Sequence, residues 1–262
     1  MKIRVAGLLA GVVCCFAAAA AAAASEGGVF KTLRLEGNGV RWQPAAHGQA
    51  PVVVSYSVVT QDVAFPRARN CRKMTPLDGL LSTSRIAPDA ARAEIAAAFA
   101  MWQAVAGISF REAESPERAD ILIGAQAEPE GWAFADVFYD VMSSVSVKPI
   151  SRALICLNPA RQWKVGFDGD LQRYDLRYTF AHEIGHAIGL DHPAGAGQIM
   201  GYRYEERFRE LQAGDISGVI QLYGRRQPEA VIAASGTHAQ RLSPARLYAK
   251  RWGTRAFTAP AP

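Results

Sequence analysis

Short runs of apolar residues along the chain are typical of β-strands. Residues 52–59 are apolar and rich in valine, a composition that favours a buried strand. Four other stretches have the same character, at 108–110, 121–123, 132–139 and 153–157. The pattern therefore predicts a β-sheet built from segments spread over about a hundred residues.

Two longer stretches instead have apolar residues at helical spacing. Over 88–106, Ile95 and Phe99 fall on one face of a helix. A second helix is predicted to begin near Tyr174 and to end at Gly189. Helices and strands in this order predict a twisted mixed sheet with helices packed on it.

Three of the five histidines lie close together, in the sequence HEIGHAIGLDH at 182–192. Residues four apart on a helix lie above one another, so His182 and His186 can direct imidazole nitrogens at one ion. Gly189 reaches positive φ without steric cost, so the chain can turn there and bring His192 to the ion from outside the helix. Three protein ligands and an open fourth position are the arrangement of catalytic zinc.

Glu183 lies next to the same predicted ion, one step round the helix. It can accept a proton from a zinc-activated water and pass it to a leaving amine. The motif therefore predicts peptide-bond hydrolysis with a single zinc ion. The alternative is a chance HExxH on a histidine-bearing helix, and the register of Gly189 and His192 argues against it.

The motif resembles the HExxHxxGxxH signature of the metzincin metalloproteases. Met200 is similar to the methionine of their Met-turn, and its short spacing from His192 resembles the matrixin branch. Residues 98–105, 108–112, 119–123 and 211–224 are similar, in order, to the first helix, the following strands and the closing helix of matrixins. The resemblance implies an α+β fold, with a mixed sheet, three main helices and the active-site helix below a substrate cleft.

The chain also departs from matrixins. Pro193 follows the third histidine where matrixins usually have Ser or Thr, and no histidine lies between His47 and His182 to bind their second, structural zinc. Tyr202, two residues after Met200, resembles the Met-x-Tyr arrangement of astacins and serralysins. Its phenol would either approach the zinc or the oxyanion, or pack in the loop under the site, and the sequence favours neither.

The N-terminus has the pattern of a secretory signal. Lys2 and Arg4 precede an alanine-rich apolar stretch that ends in small residues before Ser25. A membrane anchor is the alternative, but alanine is weakly apolar and no basic flank follows. We therefore expect a secreted or periplasmic protein without stable membrane association after cleavage. The expected organisation is a signal peptide at 1–24, a short segment at 25–50, a catalytic domain at 51–227 and a basic tail at 228–262.

Composition fits a soluble secreted domain. Half of the residues are hydrophobic, and removal of Lys2 and Arg4 with the signal leaves a net charge of about +3, which is too small to imply nucleic acid binding. A monomer is expected. Residues 132–147 are predicted to form an exposed edge strand that pairs with an extended peptide substrate. Two other functions remain open, a zinc-containing peptide-binding module without turnover and a processing protease with one substrate; the presence of Glu183 argues against the first.

Two further groups of residues suggest accessory features. In an oxidising compartment, Cys71 and Cys156 favour a disulfide. The alternative is an inhibitory cysteine on the zinc, which the position of Cys71 after the first core strand disfavours. Asp168, Asp170 and Asp175 form either a calcium site or a solvated acidic loop, and the absence of the usual ligand pattern favours the loop.

Overall fold

The computed structural model describes residues 28–44 and 52–227, which fold into one compact unit. The predicted signal peptide at 1–24 and tail at 228–262 lie outside the described residues. Within the described ranges, no helix is both long and apolar enough to cross a bilayer.

Four α-helices and thirteen strands are formed by the described residues. The helices are α1 (Asp78–Ser84), α2 (Pro88–Val105), α3 (Leu176–Ala187) and α4 (Ala213–Tyr223). The strands are β1 (Lys31–Thr32), β2 (Arg34–Leu35), β3 (Asn38–Arg41), β4 (Val52–Val58), β5 (Val63–Ala64), β6 (Lys73–Thr75), β7 (Ile108–Glu112), β8 (Ile121–Gln126), β9 (Ala133–Tyr139), β10 (Val147–Leu157), β11 (Trp163–Lys164), β12 (Tyr174–Asp175) and β13 (Leu190–Asp191).

The central sheet is mixed, as expected. Strands β7, β4, β8 and β10 lie side by side in that order and run parallel, while β9 runs antiparallel to β10. Of the described strands, only β10 pairs with β9, so the other side of β9 is a free edge. The α+β fold predicted from the sequence is confirmed.

The edge strand is shorter than predicted. It ends at Tyr139, and residues 140–146 turn back into β10 instead of extending the strand to 147. The Asp140 side chain accepts a hydrogen bond from the backbone N–H of Met142 at 2.9 Å, a contact with which aspartate often initiates a turn. The local side chain therefore ends the strand where the apolar pattern alone continues it.

Helices α2 and α3 pack together on one face of the sheet. The indole Nε1 of Trp102 on α2 donates to the carbonyl of Ala181 on α3 at 3.0 Å, and Phe99 stacks on Tyr56 of β4 with ring centroids 4.0 Å apart. Helix α3 begins two residues later than predicted because Tyr174 and Asp175 pair with β11. The three predicted helices are present, together with the short α1.

The loop between β5 and β6 packs on the opposite face of the sheet, where it contributes Ala68 and Cys71 to a second, smaller core. Cys71, in that loop, forms a disulfide with Cys156 of β10, and both residues are fully buried. The alternative in which Cys71 binds the metal is wrong, because its sulfur is already bonded. The disulfide joins the loop to β10, the neighbour of the edge strand β9.

Residues 28–44 belong to the same packed unit as the rest of the chain. The sequence separated them from a domain beginning at 51, but Val40 and Trp42 are buried in the main core. Strand β3 adds parallel to β10, and β1 pairs with β13. Polar residues surround Val40 and Trp42 in the sequence, so no apolar pattern there predicts their long-range contacts.

We expect reduction of the Cys71–Cys156 bond to lower the free energy of unfolding by about 2–4 kcal/mol. The bond joins positions 85 residues apart, and opening a loop of that length enlarges the entropy of the unfolded chain. Denaturant unfolding with and without reductant measures the change at constant zinc concentration. A Cys71→Ala, Cys156→Ala double variant should be insensitive to reductant; equal stability of the oxidised and reduced protein would contradict the prediction.

Candidate metal centre

The start of helix α3 is held by a buried carboxylate. Asp175 is the N-cap, and its side chain accepts a hydrogen bond from the backbone N–H of Tyr178 at 2.9 Å. The same carboxylate pairs with Arg209 at 2.9 Å, and Arg209 also pairs with Glu94 of α2 at 2.8 Å. These contacts tie the N-terminus of helix α3, which precedes the first histidine, to helix α2 and to Arg209.

The three histidines of the motif converge as predicted. The Nε2 atom of His192 lies 3.0 Å from that of His182 and 3.2 Å from that of His186, and the last two are 3.2 Å apart. Four ligands about 2.05 Å from a tetrahedral zinc ion would be roughly 3.3 Å apart. The triangle of nitrogens therefore fits the face of a zinc coordination sphere.

Backbone carbonyls orient two of the rings. The Nδ1 of His182 lies 2.7 Å from the carbonyl oxygen of Ile199, and the Nδ1 of His186 lies 2.9 Å from that of Leu190. A carbonyl oxygen only accepts, so Nδ1 carries the proton in each ring and the Nε2 lone pair points at the shared centre. This is the tautomer that a metal ligand requires.

Burial keeps these imidazoles neutral. It lowers the pKa of His182 well below its ordinary value, lowers the pKa of His186 to about 4 and also lowers the pKa of His192. Neutral nitrogen lone pairs at such short separations repel unless a cation lies between them. Among the described residues, this is the one group of histidine, cysteine and acidic side chains that could hold a metal ion.

The turn that carries His192 is fixed by residues far upstream. Gly189 has φ of 103°, and a Cβ atom there would lie 2.5 Å from the carbonyl oxygen of Val40. The carbonyl of Gly189 accepts from the backbone N–H of Leu33 at 2.8 Å, and that of Ala187 accepts from Trp42 Nε1 at 2.9 Å. Glycine is thus required both by the backbone conformation and by the close approach of β3.

An ion pair also stabilises the backbone beside the third histidine. Lys31 of β1 lies 2.6 Å from the carboxylate of Asp191, which also accepts from the backbone N–H of His192 at 2.8 Å. The sequence interpretation missed Lys31 and Trp42, because neither lies in the motif. The pairing of β1 with β13 brings Lys31 to the motif, and Trp42 reaches it from the end of β3, which pairs with β10.

Met200 supports the helix from below. It is 2 % exposed, and its sulfur packs so closely on Gly185 that an added Cβ would lie 2.2 Å from it. The backbone N–H groups of Ile199 and Met200 both donate to the buried carboxylate of Asp215 at 2.9 Å. Asp215 was not identified from the sequence, where it is an ordinary acidic residue in the first turn of α4.

Glu183 and Tyr202 lie on the cleft at the histidine cluster. Glu183 is 6 % exposed, and burial raises the pKa of its carboxyl to about 8. The ring of Tyr202 lies 5.2 Å from that of His192 and is 80 % exposed. The interpretation that Tyr202 packs beneath the site is therefore wrong, because its ring stands in the open cleft.

The cleft runs along the free edge of β9. Its floor is α3, and Trp132, Tyr174 and Tyr204 stack at one end, with centroids 3.8 and 4.1 Å apart. At the other end lie Leu35 and Tyr139. A cleft beside an unpaired strand edge can accept an extended chain, whose backbone would complete the hydrogen bonds of β9.

The acidic loop is a network of ion pairs rather than a set of converging carboxylates. Asp168 and Asp170 each lie 2.8 Å from the guanidinium of Arg173, and Asp168 also pairs with Lys164. Asp175 points into the protein to Arg209. The calcium interpretation therefore gains no support from the described residues.

Comparison with known proteins agrees with this geometry. The matrixin family profile matches residues 80–224. Matrix metalloproteinase-19 of Mus musculus is 29 % identical over 144 residues, which are 53 % of this chain and 26 % of that protein. Metalloendoproteinase 1-MMP of Arabidopsis thaliana is 30 % identical over 136 residues, 48 % of this chain and 36 % of that protein.

A third relative shows the same partial coverage. The 72 kDa type IV collagenase of Gallus gallus is 35 % identical over 119 residues, 41 % of this chain and 17 % of that protein. The chain thus spans well under half the length of these relatives. Because the family profile matches more than half of this chain and includes all three histidines, the chain belongs to the matrixin family.

Proposed function

We propose that the protein is an exported zinc endopeptidase that hydrolyses peptide bonds in extended polypeptides. The observation that carries the proposal is the triangle of Nε2 atoms with Glu183 beside it on a peptide-sized cleft. His182, His186 and His192 would hold one zinc ion. The ion would supply Lewis acidity, which polarises a carbonyl group and acidifies a water molecule.

The residues of the chain would provide the remaining chemistry. The free edge of β9 would bind the substrate backbone and place one carbonyl above α3. Glu183 would take the proton from the attacking water and deliver it to the leaving amine, a role for which a carboxyl with a raised pKa is suited. The phenol of Tyr202 would donate a hydrogen bond to the negative charge that develops on the carbonyl oxygen.

Export is supported by two observations. The N-terminal residues have the pattern of a signal peptide ending near Ala24. The described part of the chain contains a buried disulfide, and such bonds persist mainly in oxidising compartments. We propose that the mature chain starts near Ser25, that its catalytic unit includes residues 28–44, and that residues 228–262 form a basic tail.

We expect His186→Ala to lose the metal. The substitution removes one of three nitrogens that share the ion, and two neutral imidazoles on a water-exposed cleft hold zinc weakly. Metal content after dialysis measures the effect, with His47→Ala as a matched control outside the motif. Full zinc occupancy in His186→Ala would contradict the ligand assignment.

We expect Glu183→Gln to keep its zinc and to lose turnover by at least about a hundredfold, because the amide has the shape of the carboxylate but cannot accept the proton. The measurement is cleavage of a random peptide library, read by mass spectrometry, with and without a chelator. Cleavage by the wild-type protein that is absent in Glu183→Gln and is abolished by the chelator supports the peptidase function. A zinc-loaded wild-type protein that binds but never cuts peptides would identify a binding module instead.

We expect Tyr202→Phe to lower kcat by about tenfold or more with little change in KM, because the phenol contact would form mainly in the transition state. Zinc content should stay unchanged. Tyr139→Phe is the matched control, since that phenol donates to Glu36 at the far end of the cleft. An unchanged kcat in Tyr202→Phe would remove Tyr202 from the mechanism.

A further inference from the structure

Two arginines lie at the cleft on the side opposite helix α3. Arg67 and Arg69 belong to the loop between β5 and β6, and both line the cleft and are exposed. Ala68 between them is buried, at 4 % exposure. The loop thus turns one residue inward and presents the two guanidinium groups outward.

The loop has a fixed place beside the edge strand. Asp136 of β9 accepts hydrogen bonds from the backbone N–H groups of Asn70 at 2.8 Å and Cys71 at 2.7 Å, and from the Asn70 side chain at 3.2 Å. The disulfide from Cys71 to Cys156 anchors the loop to the next strand, β10. The loop that carries the arginines is therefore attached directly to the edge strand that would bind the substrate.

Four carboxylates line the cleft with these cations, and none of them pairs with either arginine. Glu183 is buried beside the three histidines. Asp136 is occupied by three N–H donors, and Asp191 is paired with Lys31. Glu36 lies at the Tyr139 end, where it accepts from the phenol. Within the described ranges, neither Arg67 nor Arg69 takes part in an ion pair. An exposed guanidinium without an ion-pair partner in the protein can pair with a carboxylate of a bound peptide.

The geometry of a strand decides which substrate residues would meet the arginines. Along β9, Phe134 and Phe138 pack on the loop side of the sheet, whereas Ala135 and Val137 pack on the helix side. A peptide added to this edge has the same alternation. Every second side chain of the peptide would point away from α3, toward the loop that carries Arg67 and Arg69.

We propose that Arg67 and Arg69 are specificity determinants that select substrates with aspartate or glutamate at positions whose side chains point away from helix α3. This inference rests on the proposed peptidase function and names its substrate class. Each ion pair would be partly exposed and thus modest, so together they should favour an acidic over a neutral side chain by about threefold to tenfold in kcat/KM.

The test uses a peptide that the purified protein cleaves, remade with Glu or Gln at each position in turn. Gln matches Glu in shape, so the ratio of kcat/KM values isolates the charge. We expect Glu to be favoured at alternate positions, and less so at high ionic strength because salt screens exposed charges. A Lys series tests the opposite sign.

Three variants complete the design. Arg67→Gln with Arg69→Gln should abolish the preference, and Arg67→Glu with Arg69→Glu should reverse it toward Lys. Arg92→Glu changes the net charge as much as the double Gln substitution does, but on an exposed position of α2 that does not line the cleft, and it should retain the preference. Equal zinc content in all variants shows that the metal site is intact.

Equal rates for the Glu and Gln peptides, or a preference that survives the double substitutions, would overturn the inference while leaving the peptidase standing. Loss of the preference in Arg92→Glu would also overturn it, since net charge and not position would then decide. A wild-type protein that cuts no peptide would refute the proposed function, and the substrate class would fall with it.

Discussion

The carbonyl groups at the end of helix α3 need hydrogen-bond donors, and the way they obtain them decides where the third histidine lies. The last carbonyls of any helix lack partners within it. Here the carbonyl of Ala187 accepts a hydrogen bond from the indole N–H of Trp42, and that of Ile188 accepts one from the phenol of Tyr223. The carbonyl of Gly189 accepts from the backbone N–H of Leu33. The donors come from both ends of the described chain, so the whole unit must fold before the turn is fixed. A metal site that looks local in the sequence therefore depends on its most distant contacts.

A second support acts on the other side of the metal. Asp215 holds the backbone of Ile199 and Met200, and the carbonyl of Ile199 in turn orients His182. One buried carboxylate thus links the closing helix to the first ligand through two hydrogen bonds. Met200 fills the space that Gly185 leaves open, so the helix can be neither lifted nor rotated without a clash or a void. The ligands are rigid because their supports are packed, which is the condition for holding one ion in one geometry.

These supports explain which features could be predicted from the sequence. The spacing of His182, His186 and Gly189 is a helical and local property, so it predicts the ligands directly. The four parallel strands β4, β7, β8 and β10 were found because buried parallel strands are continuously apolar, whereas the short strands β2, β3, β5 and β6 were not predicted. Residues 28–44 were set apart because their contacts are non-local, and no short pattern in them shows that Trp42 meets Ala187. The end of β9 was misplaced for a related reason: the hydrogen bond from Met142 to Asp140 overrides an apolar pattern that continues past it.

The proposed reaction depends on residues close together in the sequence, whereas the proposed selectivity depends on residues far from them. The proposed hydrolysis would need only a few residues of a short motif, and these lie in one helix and the turn after it. Selection of an extended substrate needs surfaces on both sides of it, and in our proposal one side is a loop that enters the fold about 110 residues before helix α3. Its anchors are a disulfide and a buried aspartate on β9, neither of which touches the metal. The exposed residues of the loop can therefore change without disturbing the three histidines, so the proposed substrate preference could vary while the proposed metal site stays the same.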